Sequence, residues 1–332
     1  MKKIVFMAGF LIAWALLQSG CSDTVTEPDP VPSLMKVTDI PYISGDTSKR
    51  HKLDIYYRPN TTPNKVLFFV PGGAWRQGDK SLYQTMGSTL AGHYPYTVVA
   101  INYRLSNPDE GNAVHPDHIN DVLAAFDWAM KNIAKYGGDP SQVFLFGQSA
   151  GGHLVSLLAT DETYLMTAGY SFANIRGAIS MSGAYDLPDL VDFPSNPLGL
   201  TAEETLMYKA IIAGAFGSYD SAVTGPASPA WHVNSTIPPF LLITTDLDMP
   251  GFMAEGDNFL NIINSYNGTQ AQLYHLAQSD YSPETWAAAT QLAAQEPLLS
   301  DYIGHYAEVV AINENDHLKV PTTCIVQFIT EH

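Results

Sequence analysis

The chain has 332 residues, with 16 Lys+Arg against 33 Asp+Glu and a formal net charge of −17. At 46% hydrophobic and 15% charged residues it carries enough apolar material for a core, which excludes a disordered chain or a coiled coil. An acidic balance with no Lys/Arg-rich run argues against nucleic acid and anionic lipid surfaces as partners, and two cysteines cannot form a disulfide framework or a paired zinc site.

Lys2 and Lys3 precede an uncharged run of 14 residues, Ile4 to Leu17, that ends in Gln18-Ser19-Gly20-Cys21. A basic start and an apolar run too short to cross a bilayer of about 30 Å predict a signal peptide over residues 1–20. The Ser-Gly-Cys ending resembles a bacterial lipoprotein cleavage box, with Gln18 in place of the usual aliphatic residue. The resemblance implies lipidation of Cys21, export to the cell envelope and membrane contact through that lipid alone. Losing the two lysines would take the mature charge from −17 to −19. Residues 21–35, with Pro28, Pro30 and Pro32 among acidic and small polar residues, predict a disordered tether.

Residues 36–332 then alternate short apolar runs with helical patterns, which predicts a mostly parallel α/β sheet covered on both faces. Leu53-Asp54-Ile55-Tyr56 alternates with period two. Val66 to Val70, Thr97 to Ile101, Val143 to Phe146, Ala178 to Met181 and Phe240 to Thr244 are continuous apolar runs, the mark of strands buried on both sides. Ile119, Val122, Leu123, Phe126, Met130 and Ile133 recur at helical spacing, with Pro116 at the start and Gly137-Gly138 at the stop. Two candidates remain for the last strand: Gln272 to Leu276, and the strand-like Val309-Val310-Ala311-Ile312.

Two stretches carry chemistry. Phe144 to Leu154 reads as a strand running through Gly147-Gln148-Ser149-Ala150-Gly151 into a helix. A serine on such a turn is thrust out of the backbone, and the following helix aims its amides at developing negative charge, so Ser149 is the candidate nucleophile. Directly after the run ending at Val70, Pro71-Gly72-Gly73-Ala74-Trp75 lets the backbone approach a ligand. Gly73, Ala74 and Ala150 are therefore the candidate oxyanion donors.

These pieces resemble the α/β-hydrolase fold, in its carboxylesterase/lipase branch with a His-Gly-Gly type oxyanion loop, which includes hormone-sensitive-lipase-like esterases, isoprenylcysteine methylesterases and kynurenine formamidases. Asn102-Tyr103-Arg104-Leu105, Tyr136-Gly137-Gly138-Asp139-Pro140, Gly183-Ala184-Tyr185-Asp186-Leu187 and Pro238-Pro239-Phe240-Leu241-Leu242-Ile243 extend the match over about residues 51–250. Pro71 departs from the family by replacing the loop histidine, so the loop's hydrogen bonds must be met in another way.

The resemblance places the triad acid after Phe240 to Thr244, at Asp248, with Asp246 as rival, where Thr244-Thr245 stands for the family's His-Gly. It places the base at His317, with His275 and His305 as alternatives. It also implies a helical cap insertion over 186–237, and a second helical insertion falls at 279–306. No cofactor and no metal is called for; His115-Pro116-Asp117-His118 reads as helix-start capping, His153 and Trp75 as packing, and Arg104 and Asp121 as architecture. The expected activity is serine ester hydrolysis through an acyl-enzyme, on a small-molecule or carbohydrate-linked ester of acetyl or feruloyl type. The alternatives are an arylformamidase or other amidase, and a catalytically silent binding protein.

Overall fold

Continuous apolar runs build the centre of one sheet because only strands covered on both faces can afford no polar alternation. The computed structural model describes residues 33–332 apart from 60–61, 193–194, 267, 269, 295–301 and 314–318. Its strands are β1 (Met35–Pro41), β2 (Lys52–Tyr57), β3 (Asn64–Val70), β4 (Tyr96–Ile101), β5 (Gly138–Gln148), β6 (Gly177–Met181), β7 (Phe240–Thr245) and β8 (Ala271–Leu276). They lie in the order β1-β2-β4-β3-β5-β6-β7-β8. β2 runs antiparallel to both β1 and β4, whereas β3 to β8 are parallel.

Ten helices are described: α1 (Gln84–His93), α2 (Asp117–Asn132), α3 (Ala150–Thr160), α4 (Glu162–Thr167), α5 (Ala202–Phe216), α6 (Ser221–Thr224), α7 (Phe252–Asn264), α8 (Pro283–Ala293), α9 (Ile303–Val310) and α10 (Thr322–Glu331). Alternate strand residues divide the core between the two faces. Phe68, Val99, Leu145 and Leu242 pack with Phe126 of α2, Leu154 of α3 and Phe259 of α7. Leu67, Phe146, Ile179 and Ile243 pack with Leu90 of α1, Ala289 of α8, Ala307 of α9 and Phe328 of α10. Each of the Val, Leu, Ile and Phe side chains contributes roughly 1.5–3 kcal/mol by leaving water. This is the α/β-hydrolase architecture that the sequence leads one to expect.

The structure moves one boundary and decides between the two candidates for the last strand. Met35, expected to end the tether, begins β1. The last strand among the described residues is β8, at Ala271–Leu276. Val309 and Val310 close helix α9, and Ala311 and Ile312 follow it as a turn and bend rather than a strand. A four-residue apolar run has no period of its own, and Ile303 and Ala307 upstream complete a helical face that joins it to the core. The segment between β6 and β7 holds α5 and α6, and the one between β8 and α10 holds α8 and α9.

Arg104 and Asp121 tie the end of β4 to α2. The Asp121 carboxylate accepts from the Arg104 amide at 2.9 Å, from its Nε at 2.9 Å and from its Nη2 at 2.7 Å. His51 Nε2 approaches the same carboxylate at 3.2 Å while its Nδ1 meets Asp46. Removing Asp121 strips the buried His51 and the part-buried Arg104 donors of their partner. Asp121→Ala should therefore cost about 2–4 kcal/mol in equilibrium urea unfolding, and a loss under 1 kcal/mol would contradict this account.

Candidate active site

Four loops leave the carboxyl ends of β3, β5, β6 and β7, the edge at which parallel sheets gather ligands. Ser149 follows β5 and is the residue at the start of α3, with φ 55° and ψ −122°. Its amide donates to the Met181 carbonyl at 2.8 Å and its carbonyl accepts from His153 at 2.9 Å, while its hydroxyl makes no capping bond to the helix. The backbone is thus held on both sides and the side chain is left to other work. The tight turn needs Gly151, where a Cβ would lie 2.0 Å from the Val70 carbonyl oxygen.

After β3 the backbone enters a left-handed run at Gly73 (φ 121°), Ala74 (φ 51°) and Trp75 (φ 57°). The Gly73 carbonyl accepts from the amides of Arg76 and Gln77, each at 3.0 Å, so the Gly73 and Ala74 amides are not the donors of these loop bonds. The loop lies against the serine: a Cβ on Gly72 would sit 3.0 Å from Ser149 Cβ. Ala150 is the first residue of α3, whose leading amides have no acceptor within the helix. The loop after β3 and the start of α3 therefore meet at Ser149.

Tyrosines meet the demand that Pro71 creates. Tyr103 Oη donates to the Pro71 carbonyl at 3.1 Å, and Tyr83 Oη accepts from the Gly72 amide at 3.1 Å and donates to Gln148 Oε1 at 3.2 Å. Trp75 Nε1 donates to His153 Nδ1 at 3.3 Å, and His153 Nε2 donates to the Ala227 carbonyl at 2.8 Å. Burial drives the His153 value down to about 3, so the ring is neutral and Trp75 and His153 are packing residues. Phe216 of α5 stacks edgewise on both rings. Among the pair read as helix capping, His118 instead bonds Ser106 Oγ at 2.9 Å and His115 stacks near Phe216.

Asp248 follows β7 and is buried. Its Oδ1 accepts from His305 Nδ1 at 2.6 Å and from the Met249 amide at 2.7 Å. The close approach is made possible by Gly304, since a Cβ there would lie 1.7 Å from the Asp246 carbonyl oxygen. The Gly304 amide donates to the Leu247 carbonyl at 3.2 Å. His305 is in turn docked on the serine turn, because Gln148 Nε2 donates to its carbonyl at 3.0 Å. An imidazole whose Nδ1–H is fixed by a buried carboxylate presents Nε2 as a proton acceptor, the arrangement required for general-base activation of a hydroxyl.

The rival carboxylate makes a separate pair. Asp246 Oδ1 bonds His275 Nε2 at 2.9 Å, with both side chains more than a third exposed, and Asp246 Oδ2 accepts from the Gln278 amide at 2.9 Å. That amide and His275 hold the Asp246 carboxyl below its usual range. Thr244 and Thr245 bond His275 Nδ1 at 3.3 Å and Tyr281 Oη at 2.6 Å. His317 and Cys21 lie outside the described residues. Asp248 is thus brought together with His305, an alternative in the sequence reading, beside Ser149.

Sequence reasoning missed Ser182, Glu308 and Gln148. Ser182 Oγ lies 2.5 Å from Asp248 Oδ2 and 2.8 Å from Glu308 Oε2, and Gln148 Nε2 donates to Glu308 Oε1 at 3.2 Å. The available signal was His305 and Glu308 three apart in an apolar stretch, which a strand reading of Val309 to Ile312 hid.

Comparison with known proteins bears on the fold and the family. The pattern of the BD-FAE family matches residues 53–251. The probable carboxylic ester hydrolase LipM of Mycobacterium tuberculosis is 36% identical over 62% of this chain and 46% of its own length. A probable isoprenylcysteine alpha-carbonyl methylesterase of Arabidopsis thaliana is 31% identical over 63% of this chain and 44% of its own length. The chain thus spans about half the length of the curated relatives it matches. A solved truncated carbohydrate esterase from gut microbiota superposes with a TM-score of 0.65 at 20% identity, covering 92% of this chain and 98% of that one. Inhibited esterase B from Lactobacillus rhamnosis gives the same TM-score and identity over 91% and 89%. These likenesses establish the fold.

Glu255 of α7 braces the loop that carries Ser182. Its Oε2 accepts from the Tyr185 amide at 2.6 Å and the Asp186 amide at 2.9 Å, and burial pushes its carboxyl up to about 8 from 4.5. A carboxyl raised in the fold favours the native state fully below about 4.5, and that contribution is lost as pH rises through about 8. The Tm of Glu255→Gln relative to wild type should therefore climb between about pH 5 and 8, and a constant difference across that window would count against a neutral Glu255.

Proposed function

The chain belongs to the BD-FAE family, and from that premise we propose that it is a serine carboxylic-ester hydrolase working through an acyl-enzyme. The observation that carries the proposal is the buried Asp248–His305 pair, 2.6 Å apart, docked by Gln148 against the turn that holds Ser149. Ester hydrolysis is also what the printed names of the relatives describe.

In this reading Ser149 Oγ attacks the ester carbonyl while His305 Nε2 takes its proton, and Asp248 steadies the imidazolium through Nδ1. The amides of Gly73, Ala74 and Ala150 stabilise the tetrahedral oxyanion in this reading. Collapse passes the proton from His305 to the leaving alcohol and leaves the acyl group on Ser149. Water, deprotonated by the same histidine, then releases the acid. His305 takes the role of base that the family resemblance gave to His317, because among the described residues His305 is the histidine bonded to Asp248.

The proposed substrates are small or carbohydrate-linked esters, an assignment supported by the carbohydrate esterase among the similar structures and by the signal-peptide reading of residues 1–20. Lipidation at Cys21 belongs to the same proposal. It predicts that wild-type protein expressed in bacteria partitions into detergent and takes up labelled palmitate, and that Cys21→Ala does neither; label retained in the variant would refute it.

Turnover of p-nitrophenyl acetate and acetylated xylan tests the enzyme reading. Ser149→Ala and His305→Ala should each lower kcat by about a thousandfold or more, with a burst of p-nitrophenol in wild type alone. His317→Ala should stay within a few-fold of wild type. Activity surviving in Ser149→Ala would sink the nucleophile, and a reversed ranking of the two histidine variants would return the base to His317.

A further inference from the structure

Counting protons around Ser182 leads beyond the triad. Its Oγ lies 2.5 Å from Asp248 Oδ2 and 2.8 Å from Glu308 Oε2, yet a serine hydroxyl carries one hydrogen. If both carboxyls were ionised, three oxygens would share that single hydrogen and one short contact would set lone pair against lone pair. A second proton must therefore sit on one of the two carboxyls. Asp248 is the better solvated anion, since its Oδ1 already accepts from His305 Nδ1 and from the Met249 amide. Among the described residues Glu308 accepts only the Gln148 amide at Oε1 besides its Ser182 contact, and it is completely buried.

We propose that Glu308 is held as a neutral carboxylic acid and acts as a positioning residue, its Oε2–H donating to Ser182 Oγ so that the serine hydrogen is committed to Asp248 Oδ2. The chain of donors then runs in one direction from Glu308 through Ser182 to Asp248, and His305 Nδ1–H reaches the same carboxylate from the other side. This rests on the reading of Asp248 and His305 as the acid and base. Burial, with the Asp248 charge adding to it, raises the Glu308 carboxyl well above the ordinary range. The remaining titratable groups around it are the phenols of Tyr83, Tyr185 and Tyr281, all pushed upward by burial and so neutral as well. Asp248 thus carries the one negative charge beside the histidine. A second carboxylate there would hold a proton on His305 and oppose its service as a base.

Replacing the acid by its amide separates this role from mere packing. In Glu308→Gln the side-chain oxygen can accept from Gln148 and the N–H can donate to Ser182, so the hydrogen-bond direction is kept. Its kcat should stay within about threefold of wild type, and its kcat/KM against pH should superimpose on the wild-type curve. Glu308→Leu and Ser182→Ala should each lower kcat tenfold or more with KM within twofold, and the double variant should be no worse than the poorer single one. Infrared difference spectra at neutral pH should show a protonated-carboxyl stretch in wild type that is missing from Glu308→Gln.

An ionised Glu308 predicts otherwise: the acidic limb of Glu308→Gln would move down by about a unit, and the wild-type spectrum minus that of Glu308→Gln would carry no protonated-carboxyl band. Either result overturns the proposal, as does full activity in Ser182→Ala. If Glu308→Leu does not fold, Glu308→Gln, Ser182→Ala and the infrared band still decide it. His305→Ala and Ser149→Ala run in parallel: activity surviving in those two rejects the triad reading itself, whereas their inactivity beside an altered Glu308→Gln profile rejects the positioning role alone.

Discussion

Two backbone hydrogen bonds at the end of the sheet set the geometry on which the site depends. The Ser149 amide donates to the Met181 carbonyl and the Ser182 amide to the Ile243 carbonyl, each at 2.8 Å. They extend the parallel ladders β5–β6 and β6–β7 by one step beyond the strands. Because parallel strands are spaced by about 4.8 Å, the two serines leave the sheet as neighbours. The loop after β7 then needs few residues to bring Asp248 against Ser182. A slip of one residue in either ladder would turn every side chain to the other face and break the constellation, so the hydrophobic division of the core also fixes the chemistry.

Gln148 connects what these strand ends only place side by side. Its oxygen accepts from Tyr83, which holds the Gly72 amide, and its nitrogen donates to both the His305 carbonyl and Glu308. One fully used side-chain amide therefore links the oxyanion loop to the helix that carries the histidine. Buried polar networks stabilise only when each member is satisfied, and this one spans segments far apart in the chain. The replacement of the loop histidine by Pro71 is intelligible here. The bracing has moved to two phenols, Tyr83 and Tyr103, whose hydroxyls reach the loop from outside it.

What was legible in the sequence is what local physics determines. The five continuous apolar runs became β3 to β7 because their residues leave no face for water, and Gly147-Gln148-Ser149-Ala150-Gly151 became a strand-turn-helix because its glycines meet backbone that a Cβ would strike. The resemblance reached the loop after β7 and there the local signal ended. The partner of Asp248 is chosen by how α9 docks on that loop through Gly304, a tertiary contact with no periodic trace. His305 is one of several histidines, and the short Val-Val-Ala-Ile run following it has the composition of a candidate strand. Ser182 was invisible for a related reason. A serine after a strand is ordinary in sequence, and its meaning comes only from two carboxyls that arrive from β7 and α9.

Backbone strain shows where the fold gives up stability for placement. Among the described residues eight that are not glycine have positive φ, and five of them, Ala74, Trp75, Ser149, Ser182 and Leu247, stand in the loops that follow β3, β5, β6 and β7. Such conformations cost of order 1–3 kcal/mol each and persist where the surroundings over-determine them. Glycine would relieve the strain at each position. It could not supply the hydroxyl at 149, the hydroxyl at 182 that lies between two carboxyls, or the indole at 75 that locks His153. At these positions the cost is offset by contacts only a side chain can make, and the hydrogen bonds that Ser149 and Ser182 donate to the Met181 and Ile243 carbonyls hold the backbone in the strained form. Strain, register and the buried polar chain are therefore one constraint: the sheet dictates where its strands end, and the loops bend through unfavourable angles so that their side chains converge.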